Sequence, residues 1–377
     1  MSILSIQKPQ GSLRPILDIE NISPVDLCTS IQKGNKVALQ VLQESAKEGS
    51  AKSKLLLGMC FENGIGVKQD DISAVKLYKE AAKQEYAPAQ CNLGTCFLEG
   101  IGLNQDYKTA VELYRKSAEK GIAKAQYNLA VCYEEGLGVK QNDAEAIEWL
   151  LKAAEQDYAK AQHNLAICYE QGLVVEQDFI EAFDLYQKAA EQGYADAQYN
   201  LAICYEEGKG IEKSYTEAFK WYKKAADKNY CLAQHVLGVF FLEGKGVDLN
   251  LNESINYFNL AAQQENEPSK ANLKVLLSFM KQYPIISSEN FPDYQCPVCL
   301  EPCESGMLIK LHRDKKVQHV FHQQCIALWL KDHDTCPCCR EELTEEEMYI
   351  PSFSIVVKEC QKDNSFVVER ESRCLLL

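Results

Sequence analysis

The sequence predicts a mostly α-helical protein. It would be an α-solenoid of six 36-residue helix-pair repeats with capping helices, followed by a small zinc-binding α+β domain. Two observations lead to this fold class. A self-similar unit recurs without a gap from residue 51 to residue 266. Short Cys and His pairs then follow between Cys296 and Arg340, at spacings that suit tetrahedral zinc.

The composition restricts the class of protein. A chain of 377 residues with 46% hydrophobic residues suits two or three globular domains. A formal net charge of −14 argues against nucleic acid or an anionic lipid surface as the main partner. The first residues lack the basic and apolar regions of a signal peptide, and no run approaches the ~18 apolar residues of a membrane-spanning helix. The seventeen cysteines therefore favour zinc ligation in a reducing cytosol over disulfides.

Each repeat contains two helical patterns joined by a Gly-x-Gly turn. The third reads AKAQYNLAVCYEEGLGVKQNDAEAIEWLLKAAEQDY, with its turn at Gly136 and Gly138. Glycine permits the positive φ that a tight turn between helices requires. The six units start at Ala51, Ala87, Ala123, Ala159, Ala195 and Cys231.

The 36-residue period, the Ala-x-Ala-Gln start, the Gly-x-Gly turn and the Ala-Ala close resemble the Sel-1-like repeat family, which is related to the tetratricopeptide repeats. The sequence departs from this pattern at Val174, in place of the second turn glycine, and at Ser53 and Lys54. The resemblance implies stacked helix pairs whose concave face binds protein substrates or partners. Residues 35–49 and 269–283 are predicted to be single helices that cap the stack.

One cysteine recurs in the first helix of five repeats, and Phe240 takes its place in the sixth. A ladder of metal ligands is one interpretation, and a small buried hydrophobic residue is the other. Replacement by phenylalanine favours the buried residue. The five cysteines are Cys60, Cys96, Cys132, Cys168 and Cys204.

The segment between Cys296 and Arg340 reads CPVC, HVFHQQC, WL and CPCCR in order, which resembles a RING finger with two adjacent histidines, the zinc module of ubiquitin ligases. The resemblance implies a cross-brace of two zinc ions. The first site would use Cys296, Cys299, His322 and Cys325, and the second would use His319, Cys336, Cys339 and a residue two positions before His319.

The fourth ligand of the second site is open, because that position holds Val317, which cannot bind zinc. We favour His312, since it follows the strand-like run MLIKL and the inserted RDKK loop would let it reach the ion. An open or water-filled position is the next alternative. His312 would then be a solvated loop histidine.

The RING resemblance also implies a docking groove for a ubiquitin-conjugating enzyme, formed by Val298, Trp329 and Pro337. Arg340 matches the family's linchpin position, which contacts both the conjugating enzyme and ubiquitin. No side chain would act as a catalytic nucleophile, because the ligase only positions the reactants. The alternatives are a Trp329 that fills a small core and an Arg340 that is an ordinary surface residue.

The last four residues, Cys374-Leu375-Leu376-Leu377, match a prenylation (CaaX) box whose final leucine favours geranylgeranyl. A prenyltransferase would then be a partner. One prenyl chain anchors weakly, so we expect a cytoplasmic protein that associates reversibly with cytosolic membrane faces. In a bacterial effector these would be the host cell's cytosol and membranes.

The predicted domains are an N-terminal segment, a capped repeat solenoid, a linker, a zinc finger and a tail: 1–34, 35–283, 284–292, 293–345 and 346–377. Together they predict a RING-type ubiquitin-protein ligase that recruits substrate through its repeats, positions a ubiquitin-charged conjugating enzyme and is tethered by its lipid. The alternative is a non-catalytic membrane-associated scaffold with a degenerate RING. The docking residues disfavour a third class, a purely structural zinc module.

Overall fold

The computed structural model describes residues 24–282, 285–287, 307–311 and 319–322, with side chains described from 26 to 277. Fifteen helices occupy residues 24–282. Six consecutive helix pairs coincide with the six predicted repeats. The mostly α-helical repeat architecture expected from the sequence is therefore confirmed.

The helices of the repeats alternate between a first and a second type. The first helices are α3 (Ala51–Asn63), α5 (Ala87–Glu99), α7 (Ala123–Glu135), α9 (Ala159–Gln171), α11 (Ala195–Glu207) and α13 (Cys231–Glu243). The second helices are α4 (Asp71–Ala82), α6 (Tyr107–Glu119), α8 (Asp143–Ala154), α10 (Phe179–Glu191), α12 (Tyr215–Ala226) and α14 (Leu251–Gln263). Three further helices flank the repeats: α1 (Pro24–Gln32), α2 (Lys36–Lys47) and α15 (Glu267–Gln282).

Local sequence signals fix the ends of these helices. Asp106 caps α6 by accepting hydrogen bonds from the backbone N–H groups of Lys108 and Thr109, which satisfies donors that have no partner within the helix. Asn142 caps α8 in the same way. The first helices end at a left-handed glycine, as Gly136 does with φ of 68°, because a residue without Cβ adopts this conformation at little cost.

The repeat signature is explained by a hydrogen bond between neighbouring repeats. Gln126 donates from Nε2 to the carbonyl of Ala118 at 3.2 Å, and Gln198 donates to Ala190 at 3.1 Å. The glutamine at the fourth position of one repeat thus binds an alanine near the end of the second helix of the previous repeat. In the first repeat Lys54 replaces this glutamine and forms an ion pair with Glu80 at 3.1 Å.

Both predicted single helices are present, and α1 precedes them in a segment for which the sequence predicted no helix. Leu27 and Ile31 of α1 are buried in one cluster with Leu42 of α2 and Cys60 of α3. At the other end, α15 packs against the last repeat, where the Ser269 hydroxyl lies 2.8 Å from Nδ1 of His235. Helices outside the periodic region therefore cover apolar faces that the first and last repeats would expose.

The chain divides into two compact units, and the division falls within α9. One unit comprises residues 1–165 and 173–176, and the other comprises 166–172 and 177–377. The predicted repeat domain, 35–283, thus contributes to both units. The three strands of the described residues lie in the second unit.

Three short strands form an antiparallel sheet in the order β1 (Ile285–Ser287), β2 (Met307–Leu311) and β3 (His319–His322). Ile285 is the register partner of Ile309, and Leu311 is the register partner of His319. Residues 284–292 were predicted to be a linker, yet three of them form β1. The sequence alone did not reveal this strand because its pairing partner lies more than twenty residues away.

Among the helices of the described residues, none combines the length and the apolar character that crossing a membrane requires.

Candidate functional site

Strand β3 contains two histidines that were predicted to belong to different zinc sites. His319 and His322 begin and end this strand, where their register partners are Leu311 and Leu308. Positions three apart in a strand belong to opposite faces of a sheet. Which zinc ion each histidine would bind stays a prediction.

Strand β2 ends one residue before His312, the favoured fourth ligand of the second site. Leu311, the partner of His319, immediately precedes His312 in the chain. His312 itself lies outside the described residues, so its contribution to the site of His319 stays a prediction. The donor set of thiolates and imidazoles also fits zinc.

The other residues predicted for this domain and for the tail lie outside the described residues. These are the ligands Cys296, Cys299, His312, Cys325, Cys336 and Cys339, the docking residues Val298, Trp329 and Pro337, the linchpin Arg340 and the lipidation site Cys374. Within the described part of the chain, no group of three or more His, Cys, Asp or Glu side chains could hold a metal ion.

The periodic cysteines are core residues, as predicted. Cys60 and Cys132 are fully buried, and Phe240, which takes the sixth position, is 1% exposed. Burial raises the pKa of the Cys60 and Cys132 thiols to about 12. The neutral thiol therefore packs as a small hydrophobic group in the first helix of each repeat.

The structure reveals a hydrogen bond within repeats that the sequence analysis missed. The Tyr78 hydroxyl donates to Glu62 at 2.6 Å, and the pairs Tyr186–Glu170 and Tyr222–Glu206 have the same bond at 2.7 Å. The tyrosine follows the glutamate by 16 residues in each case. The signal in the sequence that could have indicated this bond is a glutamate followed 16 residues later by a tyrosine, which recurs in repeats 1, 4 and 5.

Repeats 2 and 3 each lack one member of this pair. In repeat 2 the glutamate is replaced by Leu98, and Tyr114 donates to Thr95 at 3.1 Å instead. In repeat 3 the tyrosine is replaced by Leu150, which cannot donate a hydrogen bond to Glu134. Burial, with smaller contributions from nearby carboxylates, raises the pKa of Glu134 to about 7.

A pocket of about 400 Å³ opens beside the Tyr222–Glu206 pair, and we call it the repeat 5 pocket. Its apolar and aromatic lining comprises Tyr199, Ile203, Tyr215, Tyr222, Val236, Val239 and Phe240. Its charged lining comprises Glu206, Glu207, Lys213 and Lys245. The helices α11, α12 and α13, with the turns that follow α11 and α13, supply all of these residues.

Glu206 is half-buried in this pocket. Burial raises the pKa of its carboxyl, whereas the hydrogen bond from Tyr222 and the charge of Lys245 lower it. Lys245 forms an ion pair with Glu243 at 2.5 Å. Lys213 instead lies over the ring of Tyr215, with Nζ 4.6 Å from the ring centroid.

Comparison with protein families identifies the repeats. A family model described as the Sel1 repeat matches 51–86, 87–122, 123–158, 159–194, 195–230 and 231–266, which together make up more than half of the chain. The chain belongs to the Sel1 repeat family. The repeat boundaries predicted from the sequence are thereby confirmed.

Two solved structures support this fold for the Sel1 repeat protein. A protective antigen of uropathogenic Escherichia coli with an SLR fold is 36% identical, covers 62% of this chain and 50% of that chain, and has a TM-score of 0.57. A Sel1 repeat protein from Oxalobacter formigenes is 30% identical, covers 64% of this chain and 97% of that chain, and has a TM-score of 0.56.

A second family model, described as a Ring finger domain, matches residues 294–340. This range contains every predicted zinc ligand of the Sel1 repeat protein. A domain of this kind implies zinc binding. The prediction of a RING finger is thus confirmed, whereas the number of ions and the individual ligands stay predictions.

Two curated relatives match only a short part of the chain. A Drosophila melanogaster protein named E3 ubiquitin-protein ligase RNF181 homolog is 37% identical over 86 residues, which are 22% of this chain and 56% of that protein. The mouse E3 ubiquitin-protein ligase RNF126 is 44% identical over 50 residues, 13% of this chain and 15% of that protein. The Sel1 repeat protein therefore spans little more than half of the first relative and far less of the second.

Proposed function

We propose that this Sel1 repeat protein is a RING-type E3 ubiquitin-protein ligase. The observation that carries the proposal is the Ring finger match over residues 294–340, together with relatives of that segment that are named ubiquitin ligases. Ubiquitin and a ubiquitin-conjugating enzyme would be its partners. The repeats would recruit the protein substrate, because stacked helix pairs offer an extended binding surface.

The proposed mechanism is positional. Val298, Trp329 and Pro337 would dock the conjugating enzyme, while Arg340 would hydrogen-bond both this enzyme and ubiquitin. A substrate lysine would then attack the thioester carbonyl carbon, and the cysteine of the conjugating enzyme would leave as its thiolate. Bound zinc supplies rigidity to the domain. Holding the reactants in a reactive geometry is sufficient for a large acceleration.

An in vitro ubiquitination assay with the full-length chain and a broad panel of conjugating enzymes tests the proposal. We expect the wild type to build ubiquitin chains with at least one enzyme. Val298→Ala and Arg340→Ala should lower the rate by about tenfold to a hundredfold, because each disturbs the placement of the thioester. Arg370→Ala, which removes an arginine outside the matched segment 294–340, should leave the rate unchanged.

The second candidate is a non-catalytic scaffold with a degenerate RING, and the observation that favours it is Val317 at an expected ligand position. A wild type that makes no chains with any enzyme of the panel would favour this scaffold over the ligase. The number of zinc ions per chain shows whether the second site holds an ion. Two ions per wild-type chain and fewer in His312→Ala would support His312 as a ligand, whereas one ion in both would leave the site open.

We also propose that the C-terminal box is prenylated at Cys374 by a prenyltransferase and places the protein on cytosolic membrane faces. The support is the match of Cys374-Leu375-Leu376-Leu377 to the prenylation pattern. Since a single prenyl chain binds weakly, the association should be reversible. Fractionation of cells that express wild type or Cys374→Ser tests this, and equal membrane fractions for both would contradict it.

A further inference from the structure

The repeat 5 pocket differs in charge from the corresponding places in the earlier repeats. Five residues after the first turn glycine, repeats 1 to 4 have a glutamine: Gln69, Gln105, Gln141 and Gln177. Gln105 and Gln177 each donate to the carbonyl at the end of their own first helix at 2.7 Å. Repeat 5 has Lys213 here, and its ammonium lies over the ring of Tyr215. The glutamine amide that binds the end of the first helix in the earlier repeats is thus replaced in repeat 5 by the ammonium group of Lys213, which lines the pocket.

One apolar residue of the pocket also differs from its equivalents in the earlier repeats. The sixth residue of repeats 2 to 5 is an asparagine: Asn92, Asn128, Asn164 and Asn200. In repeat 6 this position is Val236, which is 8% exposed and lines the pocket beside Val239. Val236 and Val239 are buried and Ile203 is half-buried, so these side chains line the interior of the pocket with apolar groups, and the position of Val236 is an amide in repeats 2 to 5.

The charges of the lining residues indicate which kind of ligand fits. Glu206 accepts the hydrogen bond from Tyr222, Glu207 forms an ion pair with Lys209 at 2.8 Å, and Lys245 forms one with Glu243. Lys213 is exposed, and no carboxylate of the described residues forms an ion pair with it. An incoming carboxylate would find an available cation, whereas an incoming ammonium would have to displace an existing partner.

We propose that the repeat 5 pocket binds an extended peptide segment of a protein substrate that carries a large apolar side chain followed by an acidic residue. The apolar side chain inserts between Ile203, Val236 and Val239, and the carboxylate pairs with Lys213. A volume of about 400 Å³ is in the range of pockets that bind compact ligands. The proposal deepens the substrate recruitment proposed above and rests on it.

A peptide array probed with the full-length protein tests this inference. The peptides are capped and glycine-flanked, with every apolar residue at one position and Glu, Gln or Lys at the next. We expect binding to apolar–Glu peptides, with weaker binding when Gln replaces Glu and the weakest when Lys does. Fluorescence anisotropy with the best labelled peptide then gives dissociation constants for the variants.

Two variants copy residues of the other repeats, so both should fold. Lys213→Gln should weaken binding by about fivefold, which corresponds to an exposed ion pair of about 1 kcal/mol. Val236→Asn should weaken it by tenfold or more, about the effect of losing apolar contact with one side chain. Lys140→Gln, in the turn of repeat 3, is the matched control and should bind like the wild type.

Absence of binding to every apolar–Glu peptide would overturn the inference. So would a best peptide whose affinity is the same for wild type, Lys213→Gln and Val236→Asn. These results are independent of the ligase assay, because binding is measured without a conjugating enzyme or ubiquitin. If the protein makes no ubiquitin chains but binds the peptide as described, the ligase proposal fails and the pocket stands.

Discussion

The hydroxyl of Tyr222 donates a hydrogen bond of 2.7 Å to Glu206, which lies 16 residues earlier on the facing helix of the same repeat. Tyr78–Glu62 and Tyr186–Glu170 repeat this arrangement. The phenol is buried and the carboxylate is half-buried. The phenol provides a hydrogen-bond donor and the carboxylate an acceptor, so both polar groups have a partner between the two helices. The hydrogen bond thus connects the first and the second helix of the repeat, α11 and α12 in the case of Tyr222 and Glu206.

Tyr222→Phe should lower the free energy of unfolding by about 1.5 to 3 kcal/mol, the range for hydrogen bonds to charged groups. The loss should be greater where Glu206 is ionised, because the bond favours the ionised carboxyl. The control is Tyr114→Phe, which removes a bond between two neutral hydroxyls and should cost about 1 kcal/mol. Urea unfolding followed by circular dichroism measures both, and equal losses would contradict the prediction.

Glu134→Gln should flatten the pH dependence of stability. The folded-state pKa of about 7 lies above the ordinary value of 4.5, so the stability present at low pH is lost as the pH rises through this interval. Since Glu134 is half-buried, solvent screening reduces the effect to about 1 to 2 kcal/mol.

Urea unfolding at about pH 5 and about pH 8 measures this difference for the wild type and the variant. Leu150→Tyr is the matched variant, because it restores the donor that repeats 1, 4 and 5 have. It should lower the pKa of Glu134 and reduce the loss of stability at the higher pH. A wild type and a Glu134→Gln variant with the same pH dependence would refute the assignment.

Val174→Gly should stabilise the protein. Val174 has φ of 64° at the position where the other repeats have the second turn glycine, and a residue with Cβ pays about 1 to 2 kcal/mol in this region. After the conformational entropy of glycine is subtracted, a gain of about 0.5 to 1 kcal/mol remains. Val175→Gly is the control and should destabilise, since Val175 does not have positive φ. A drop in melting temperature for Val174→Gly would refute the prediction.

Gly138→Ala should destabilise far more than Gly121→Ala. Both glycines have positive φ, 68° and 84°. A Cβ on Gly138 would clash with the Tyr107 carbonyl, whereas a Cβ on Gly121 would meet no heavy atom within 4 Å. The alanine at 121 should cost about 1 kcal/mol, and the one at 138 about 1 to 3 kcal/mol more. Similar melting temperatures for the two variants would contradict the prediction, because the turn at Gly138 could then move away from Tyr107 at little cost.

The repeat architecture could be predicted because its signals are local or periodic. Asp106 caps its own helix through residues two and three positions away, and Gly136 ends a helix by its own φ. The burial of Cys60 followed from the replacement of its equivalent by Phe240. Each of these inferences needs only the spacing within one repeat or a comparison of one repeat with the next.

Features that depend on distant pairing were harder to predict. Helix α1 lies outside the period, and only its packing against α2 and α3 explains its presence. The strand β1 needs Met307–Leu311 as its partner. The repeat 5 pocket needs α11, α12 and α13 together, so no single segment of sequence indicates it.

The sequence by itself determined the six repeats, the helix ends, the buried cysteines and a RING finger, because these depend on residue type at fixed spacing. The tertiary structure decided which glutamates have a tyrosine partner, that Lys213 has no carboxylate partner in the described part of the chain, and that buried valines line the same pocket as Lys213 and Glu206. The physical reason is that burial, hydrogen bonding and ion pairing are properties of neighbours in space. In a repeat protein, such neighbours lie about half a repeat or a whole repeat apart in the chain.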